Sequence, residues 1–305
     1  MKIAVVGAGA MGSLFGTLLA ESDQNVLLLD IRQAHVDAIN QKGLIIEQEG
    51  KERNIKIRAA TQPDPGQRAD LVIIFVKSTQ TSAAAKTALQ LAGDQGLVLT
   101  LQNGMGNADI LSKAIDPDRV VAGTTSHGAT MLGPGKIRHA GTGPTIIGMW
   151  SGKSHKRLEE VGQIFKKAGI EVEIASDVRP VVWGKLLINV GINAITALCN
   201  IKNGELPDLA ITRDLVRAAV EEAMEVARTQ GIAVRKDAVE HVYQVAKATA
   251  ANRSSMGQDV DNNRLTEIWA INGFIILEAE KTGIKVPVNS TLTALVETLQ
   301  THYPK

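Results

Sequence analysis

Short apolar runs alternate with helical patterns through the first half of the chain. Strands are predicted at Ile3–Val6, Val26–Leu29, Leu71–Val76, Leu97–Leu101 and Val120–Gly123. Helices are predicted between them, at about residues 13–21, 36–41 and 80–91. Since alternating strands and helices form mostly parallel sheets covered by helices, this half predicts an α/β, doubly wound domain.

A glycine-rich stretch at residues 133–148 interrupts this rhythm. Its short strand-like pieces, Lys136–Ala140 and Thr145–Gly148, predict hairpins at the edge of the sheet. A helix at about residues 153–168 and a last strand at Val172–Ala175 complete the domain.

The pattern changes after about Ser176, where strand signals stop. Amphipathic helices are predicted at about residues 181–198, 212–230, 237–250, 262–282 and 290–301. We therefore expect two domains, an α/β domain at residues 1–176 and an all-α domain at residues 177–305.

Charge and composition narrow the classes of partner. The chain has 305 residues with 33 basic and 32 acidic side chains, a net charge of +1, which provides no basic surface for nucleic acid or an anionic membrane.

The apolar N-terminus is interpreted as a strand and not a signal peptide, and no stretch approaches the ~20 apolar residues of a membrane span. The only cysteine, Cys199, is interpreted as a small core residue. These features predict a cytoplasmic protein with neither nucleic acid nor membrane as partner.

A dinucleotide-binding motif follows the first strand. It is a G-x-G-x-x-G run that opens a helix and consists of Gly7, Ala8, Gly9, Ala10, Met11 and Gly12. The first glycine permits the tight turn, the second lets a pyrophosphate approach the backbone, and the third lets helix and strand pack closely. The phosphates would lie at the positive end of the helix dipole. The motif predicts a Rossmann-type domain, although a purely structural glycine turn is the alternative.

Residues near the second strand bear on the choice of dinucleotide. Asp30 ends this strand, where an acidic residue usually accepts hydrogen bonds from the ribose hydroxyls of NAD. Arg32 and Lys77 could instead neutralise the 2′-phosphate of NADP. The residue chemistry favours NADH slightly, with a loop-capping role for Asp30 as the alternative.

The first helix of the second half carries a polar stripe at Lys185, Asn189 and Asn193. Their i, i+4, i+8 spacing places them on one face of an otherwise apolar helix. Buried polar groups need partners, here a polar ligand or an internal network. Reduction of a ketone leaves negative charge on oxygen, which an ammonium group stabilises and protonates.

Beyond the glycine motif, four further blocks carry a resemblance over essentially the whole chain. They are QNGMG at 102–106, GKLLINVGINAITAL at 184–198 with NGEL at 203–206, SSMGQD at 254–259 and TEIWAINGF at 266–274. On these blocks the chain resembles the ketopantoate reductase family. The resemblance implies a Rossmann domain followed by a helical domain, and NADP(H) as cofactor.

The resemblance also implies roles for individual residues. Lys185 would be the proton donor, and Glu267 would contact the substrate hydroxyl and lie near the cofactor. The positions matched to substrate contacts are Asn189, Asn193, Asn203 and Ser255, and those matched to positions near the cofactor are Lys77 and Ala129. Asn103 would contact both the nicotinamide side and the substrate. From the residues alone, Glu267 would be a solvated helix carboxylate, residues 262–264 a solvated helix start and His127 a structural residue.

Asp30 departs from the family pattern, because members that use NADPH commonly carry a basic residue there. NAD(H) is therefore possible or preferred.

The leading hypothesis is reduction of ketopantoate to D-pantoate, in pantothenate biosynthesis. The alternatives are an NADH-dependent 2-hydroxyacid dehydrogenase acting on another branched 2-oxo acid and a non-catalytic nicotinamide sensor. A homodimer is the default expectation for assembly.

Overall fold

A computed structural model describes residues 1–304 of the chain. Its contacts divide the chain into two compact units. The first comprises residues 1–102 and 107–178, and the second comprises residues 103–106 together with the chain from Arg179 onward. The predicted boundary after residue 176 stays a prediction, and the contacts change unit between Val178 and Arg179.

The first unit contains strands and helices, and the second is helical in the described residues. The strands are β1 (Lys2–Val6), β2 (Asn25–Leu29), β3 (Leu44–Gln48), β4 (Lys51–Ile55), β5 (Arg58–Ala60), β6 (Leu71–Ile74), β7 (Leu97–Thr100), β8 (Val120–Thr125), β9 (Gly128–Gly133), β10 (Lys136–Gly141), β11 (Thr145–Met149) and β12 (Val172–Ile174). The helices are α1 (Ala10–Glu21), α2 (Gln33–Lys42), α3 (Thr81–Ala92), α4 (Asn107–Ala114), α5 (Lys156–Lys167), α6 (Arg179–Cys199), α7 (Ala210–Thr229), α8 (Ala238–Ala248), α9 (Ser255–Asp261), α10 (Asn272–Thr282) and α11 (Pro287–Gln300).

The main sheet has eight strands in the order β12-β11-β8-β7-β6-β1-β2-β5. In this order, every neighbouring pair from β8 across to β5 is parallel, namely β8-β7, β7-β6, β6-β1, β1-β2 and β2-β5. On the other side of β8, β11 pairs with it antiparallel. All four residues of β6 are buried, as expected for a strand covered on both faces. The predicted α/β, doubly wound domain is thereby confirmed.

A second, four-stranded sheet has the order β4-β3-β10-β9. Of the two pieces predicted as hairpins at the edge of the main sheet, β10 lies in this separate sheet, so its predicted location was wrong, whereas β11 lies in the main sheet beside the edge strand β12. The small sheet buries Leu44 and Ile46, and its Ile46 and Ile137 pack with Leu14 of α1. Strands β3 and β4 were not predicted, because the apolar run of β3 is only three residues long and β4 is polar except for Ile55.

The helical unit is organised around α6, which packs against α7, α8, α9 and α11. A Cβ on Gly191 would lie 2.8 Å from Val242 and 2.9 Å from Val220, so this glycine permits close helix packing. Contrary to expectation, α6 is long and apolar enough to meet the criterion for a membrane span. However, 61% of the apolar 18-residue stretch that meets this criterion is buried inside the fold, which is typical of a core helix.

Two local predictions in this unit were wrong. Residues 262–264 follow the end of α9 and do not start a helix, since Asn262 caps α9 and Asn263 has a left-handed backbone with φ of 50°. The next α-helix begins only at Asn272. Cys199 is exposed, because it lies in the last turn of α6, beyond the packed part of the helix.

Candidate functional site

The glycine-rich turn between β1 and α1 has the geometry that a dinucleotide requires. Gly7 has a φ of +96°, and the amides of Gly7 and Ala8 both donate to the Leu29 carbonyl of β2 at 2.9 Å. A Cβ on Gly12 would lie 2.1 Å from the Gly7 carbonyl oxygen, whereas a Cβ on Gly9 would meet nothing within 4 Å. The turn is therefore tight on its inner side and open beside Gly9. Since α1 starts at Ala10, its first amides have no intrahelical partners, so the turn fits a pyrophosphate.

Asp30 and Arg32 form a bidentate pair at the end of β2. The guanidinium donates from Nε and Nη2 to the two carboxylate oxygens at 2.8 Å, and the Arg32 backbone amide donates to Oδ1 at 3.0 Å. Burial alone would raise the pKa of Asp30, but these bonds outweigh it and lower the pKa below its usual value. Asp30 therefore stays an anion, while the Arg32 side chain remains half exposed.

Three other residues predicted near the cofactor lie on different elements. Lys77 is exposed and follows β6, at the start of a short 3-10 helix. Ala129 lies on β9 of the small sheet and packs against its apolar cluster. Asn103 belongs to the segment 103–106, which is grouped with the helical unit. The Met105 amide of this segment donates to the Ala270 carbonyl at 2.8 Å.

Lys185 and Glu267 form the charged part of the candidate site in the helical unit. Lys185 is partly buried on α6, and Glu267 is 8% exposed where it precedes a short 3-10 helix. Burial lowers the pKa of Lys185 to about 8, against the opposing effect of the Glu267 carboxylate. An ammonium with a lowered pKa is a better proton donor near neutral pH.

The asparagines of the α6 stripe (Lys185, Asn189 and Asn193) offer hydrogen bonds to a ligand. The Nδ2 atom of Asn189 is enclosed with no hydrogen-bond partner among the described residues. Asn193 is 4% exposed, and its Nδ2 donates to the Ser255 hydroxyl at 3.4 Å. Because a buried donor left unpaired is costly, Asn189 Nδ2 favours a ligand that brings an acceptor.

Asn203 lies on a short 3-10 helix after α6. Its Nδ2 donates to the Thr249 hydroxyl at 3.0 Å, while its Oδ1 is buried without a hydrogen-bond partner in the described chain. The structure thus joins Lys185 with Glu267 and Asn193 with Ser255. It holds Asn203 separately, against the C-terminal end of α8.

Two supporting residues were missed by the sequence analysis. The Arg253 side chain donates to the carbonyls of Thr196 and Ile201 at 2.7 and 2.8 Å, which connects the end of α6 to α9. Gln300 accepts a hydrogen bond from the Thr266 amide at 2.6 Å, next to Glu267. Arg253 directly precedes the SSMGQD block, a signal that could have identified it, whereas nothing marks Gln300.

His127 packs against Phe15 and stacks on His139, with ring centroids 5.5 Å apart. Burial lowers the pKa of His127, and the neighbouring His139 lowers it further. Both features fit the structural role expected for this histidine.

Family models match nearly the whole chain. The ketopantoate reductase PanE/ApbA model matches residues 3–152, and the model of the C-terminal part of the same family matches residues 177–300. The 2-dehydropantoate 2-reductase of Halobacterium salinarum is 39% identical over 98% of this chain and 99% of its own length. The enzyme of the same name from Vibrio cholerae is 33% identical, with full coverage of both chains.

Solved structures show the same similarity. A PanE/ApbA family ketopantoate reductase from Ralstonia eutropha superposes with a TM-score of 0.91 at 34% identity, and 99% of each chain is covered. D-mandelate dehydrogenase, solved with NADH and anilino(oxo)acetate, superposes with a TM-score of 0.93 at 28% identity and the same coverage. Together with the two family models, these similarities show that the chain belongs to the ketopantoate reductase family.

Proposed function

We propose that this chain reduces ketopantoate (2-dehydropantoate) to D-pantoate with a reduced nicotinamide dinucleotide, as a cytoplasmic enzyme. The observation that carries the proposal is the Lys185–Glu267 pair, which places an ammonium of lowered pKa beside a buried carboxylate. The full-length similarity to enzymes named 2-dehydropantoate 2-reductase supports this substrate.

The glycine turn at residues 7–12 would hold the pyrophosphate, and Asp30 would accept from the adenosine ribose. Lys77, Ala129 and Asn103 are further candidates for contacts with the dinucleotide. When bound, the reduced nicotinamide supplies a hydride to the keto carbon.

The helical unit would supply the proton. The Lys185 ammonium donates it to the oxygen that becomes negative, and Glu267 favours the charged form of this lysine. The Glu267 carboxylate would also accept from the substrate hydroxyl. Asn189 Nδ2 offers a donor to the carboxylate or keto oxygen, and Asn193, Asn203 and Ser255 complete the substrate contacts.

A second candidate function is an NADH-dependent 2-hydroxyacid dehydrogenase of another 2-oxo acid. Asp30 favours it, because a carboxylate at the end of β2 would repel a 2′-phosphate. The similarity to D-mandelate dehydrogenase with bound NADH supports it as well.

Steady-state kinetics with ketopantoate and 2-oxoisovalerate, each with NADH and NADPH, separate the two candidates. We expect the highest kcat/KM for ketopantoate, with NADH at least as good as NADPH. If 2-oxoisovalerate is reduced as efficiently as ketopantoate, the first candidate is wrong. Light scattering on the same preparation tests the homodimer that is the default expectation for assembly.

A further inference from the structure

His35 is buried directly behind the glycine-rich turn, although the proposed reaction does not use it. It lies on α2 and is 2% exposed. Since buried polar atoms in folded proteins almost always have hydrogen-bond partners, the partners of its two ring nitrogens indicate what it holds in place.

The partners of His35 determine its tautomer. The backbone amide of Gly135, in the turn between β9 and β10, donates to Nδ1 at 2.9 Å. An N–H group can donate only to an unprotonated ring nitrogen, so the proton of the neutral ring is on Nε2. Nε2 lies 3.5 Å from the Ser13 hydroxyl, which in turn donates to the Ala8 carbonyl at 2.9 Å. His35 and Ser13 therefore connect the β9–β10 turn to the glycine-rich turn.

The direction of the Ala8 carbonyl determines that of the next amide. In a trans peptide the C=O and the following N–H point to opposite sides, and the described chain has no cis peptide bond. Holding the Ala8 carbonyl toward Ser13 therefore directs the Gly9 N–H to the other side of the turn. A Cβ on Gly9 would meet no atom within 4 Å, so the backbone is open to a ligand there.

We propose that His35 is a positioning residue for the dinucleotide, acting through Ser13 and the Ala8–Gly9 peptide to aim the Gly9 amide at the pyrophosphate. The inference rests on the proposed nicotinamide binding and deepens it. In this proposal the neutral His35 ring stabilises the glycine-rich turn in the conformation that binds the pyrophosphate.

Burial of the ring, more than any nearby charge, keeps His35 neutral and this arrangement intact at neutral pH. Burial lowers the pKa of His35, and Arg32 lowers it further, while Asp30 opposes them. The ring also faces the Ser13 hydroxyl of α1, the Gly135 amide of the β9–β10 turn and the Ala8 backbone of the glycine-rich turn, and the Ala8 contact raises the pKa as Asp30 does. Because the pKa of His35 is lowered, Nδ1 is protonated only at a pH below the ordinary histidine value of about 6.5. Protonation would place two N–H groups face to face and break the contact with Gly135.

Binding of NADH, followed by nicotinamide fluorescence, tests this role without a keto acid. His35→Phe keeps a ring but removes both hydrogen-bonding atoms, and we expect its Kd to rise about tenfold. His35→Asn retains an acceptor near the Nδ1 position and should give an intermediate Kd. His302→Phe, at an exposed histidine near the C-terminus, is the matched control and should bind like the wild type.

A double-mutant cycle tests the path through Ser13. Ser13→Ala should weaken binding in the same direction, and the double variant should be no worse than His35→Phe, because both changes break one chain of hydrogen bonds. Titration with NAD⁺, which tolerates acid, should show affinity that falls only at a pH below the ordinary histidine pKa in the wild type, because the pKa of His35 is lowered, and that is level over this range in His35→Phe.

The possible results distinguish failure of the His35 role from failure of the proposed function. A folded His35→Phe variant that binds within twofold of the wild type, or additive effects in the cycle, would overturn the role of His35 but leave the proposed function intact. If His35→Phe does not fold, Ser13→Ala and His35→Asn decide in the same way. A wild-type chain that binds neither NADH nor NADPH overturns the proposed function and this inference together.

Discussion

At the scale of single residues, the proton donor makes the sharpest prediction. Since Lys185 has a pKa of about 8, kcat/KM for keto-acid reduction should fall as the pH rises through about 8 and the ammonium is lost. Oxidation of the hydroxy acid needs the neutral amine and should rise over the same range. A pH profile in both directions measures this dependence.

Replacing Lys185 tests whether this pH dependence comes from the lysine. Lys185→Ala should lower kcat by about 10²–10⁴-fold, and Lys185→Arg, whose guanidinium does not release its proton, should also lose the dependence around pH 8. A Lys185→Ala rate within tenfold of the wild type would contradict the donor role.

Asp30 and Arg32 make a second prediction, on the choice of dinucleotide. Asp30→Asn removes a charge that would repel the 2′-phosphate and frees the Arg32 guanidinium. The ratio of kcat/KM with NADPH to that with NADH should rise about tenfold. Arg32→Ala should lower this ratio, because it deletes the cation and leaves the carboxylate. If both variants shift the ratio in the same direction, the assignment is wrong.

At the scale of elements, α6 combines a close-packed face with the polar stripe. Gly191 lies on the packed face, where a Cβ would approach Val242 within 2.8 Å, whereas a Cβ on Gly184 would meet nothing within 4 Å. Gly191→Ala should therefore destabilise the protein by about 1–3 kcal/mol. Gly184→Ala, the matched control in the same helix, should stabilise it by about 0.5–1 kcal/mol through helix propensity.

Thermal or urea unfolding of the two variants measures this difference. Equal effects of the two substitutions would show that the packing of α6 against α7 and α8 is looser than the structure indicates.

Elements with strong apolar patterns were predictable, and those held by a few contacts were not. The run at 71–76 predicted β6 because both faces of that strand are buried. Strand β4 is mostly exposed and polar, so no apolar alternation marks it. Its pairing with β3 is local, across the two-residue turn Glu49–Gly50, in which both residues have a positive φ. The helix expected from residue 262 starts later, because the left-handed Asn263 and a 3-10 turn precede it.

At the scale of the whole molecule, the order of the α/β and helical parts followed from the change of pattern near residue 176. The α6 stripe was predictable from its spacing alone. The burial of Glu267 was not, since it depends on a loop held by Gln300, 33 positions along the chain. His35 gave no signal either, because its partners Ser13 and Gly135 are brought to it only by the folded sheets.

The segment 103–106 has a consequence for protein engineering. It lies between β7 and α4 in the sequence yet is grouped with the helical unit, where the Met105 amide bonds the Ala270 carbonyl. The two units are therefore not consecutive modules on the chain. A chimaera that exchanges the C-terminal half of this protein for that of a relative must transfer these four residues as well, or the segment 103–106 of one parent packs against the position-270 backbone of the other.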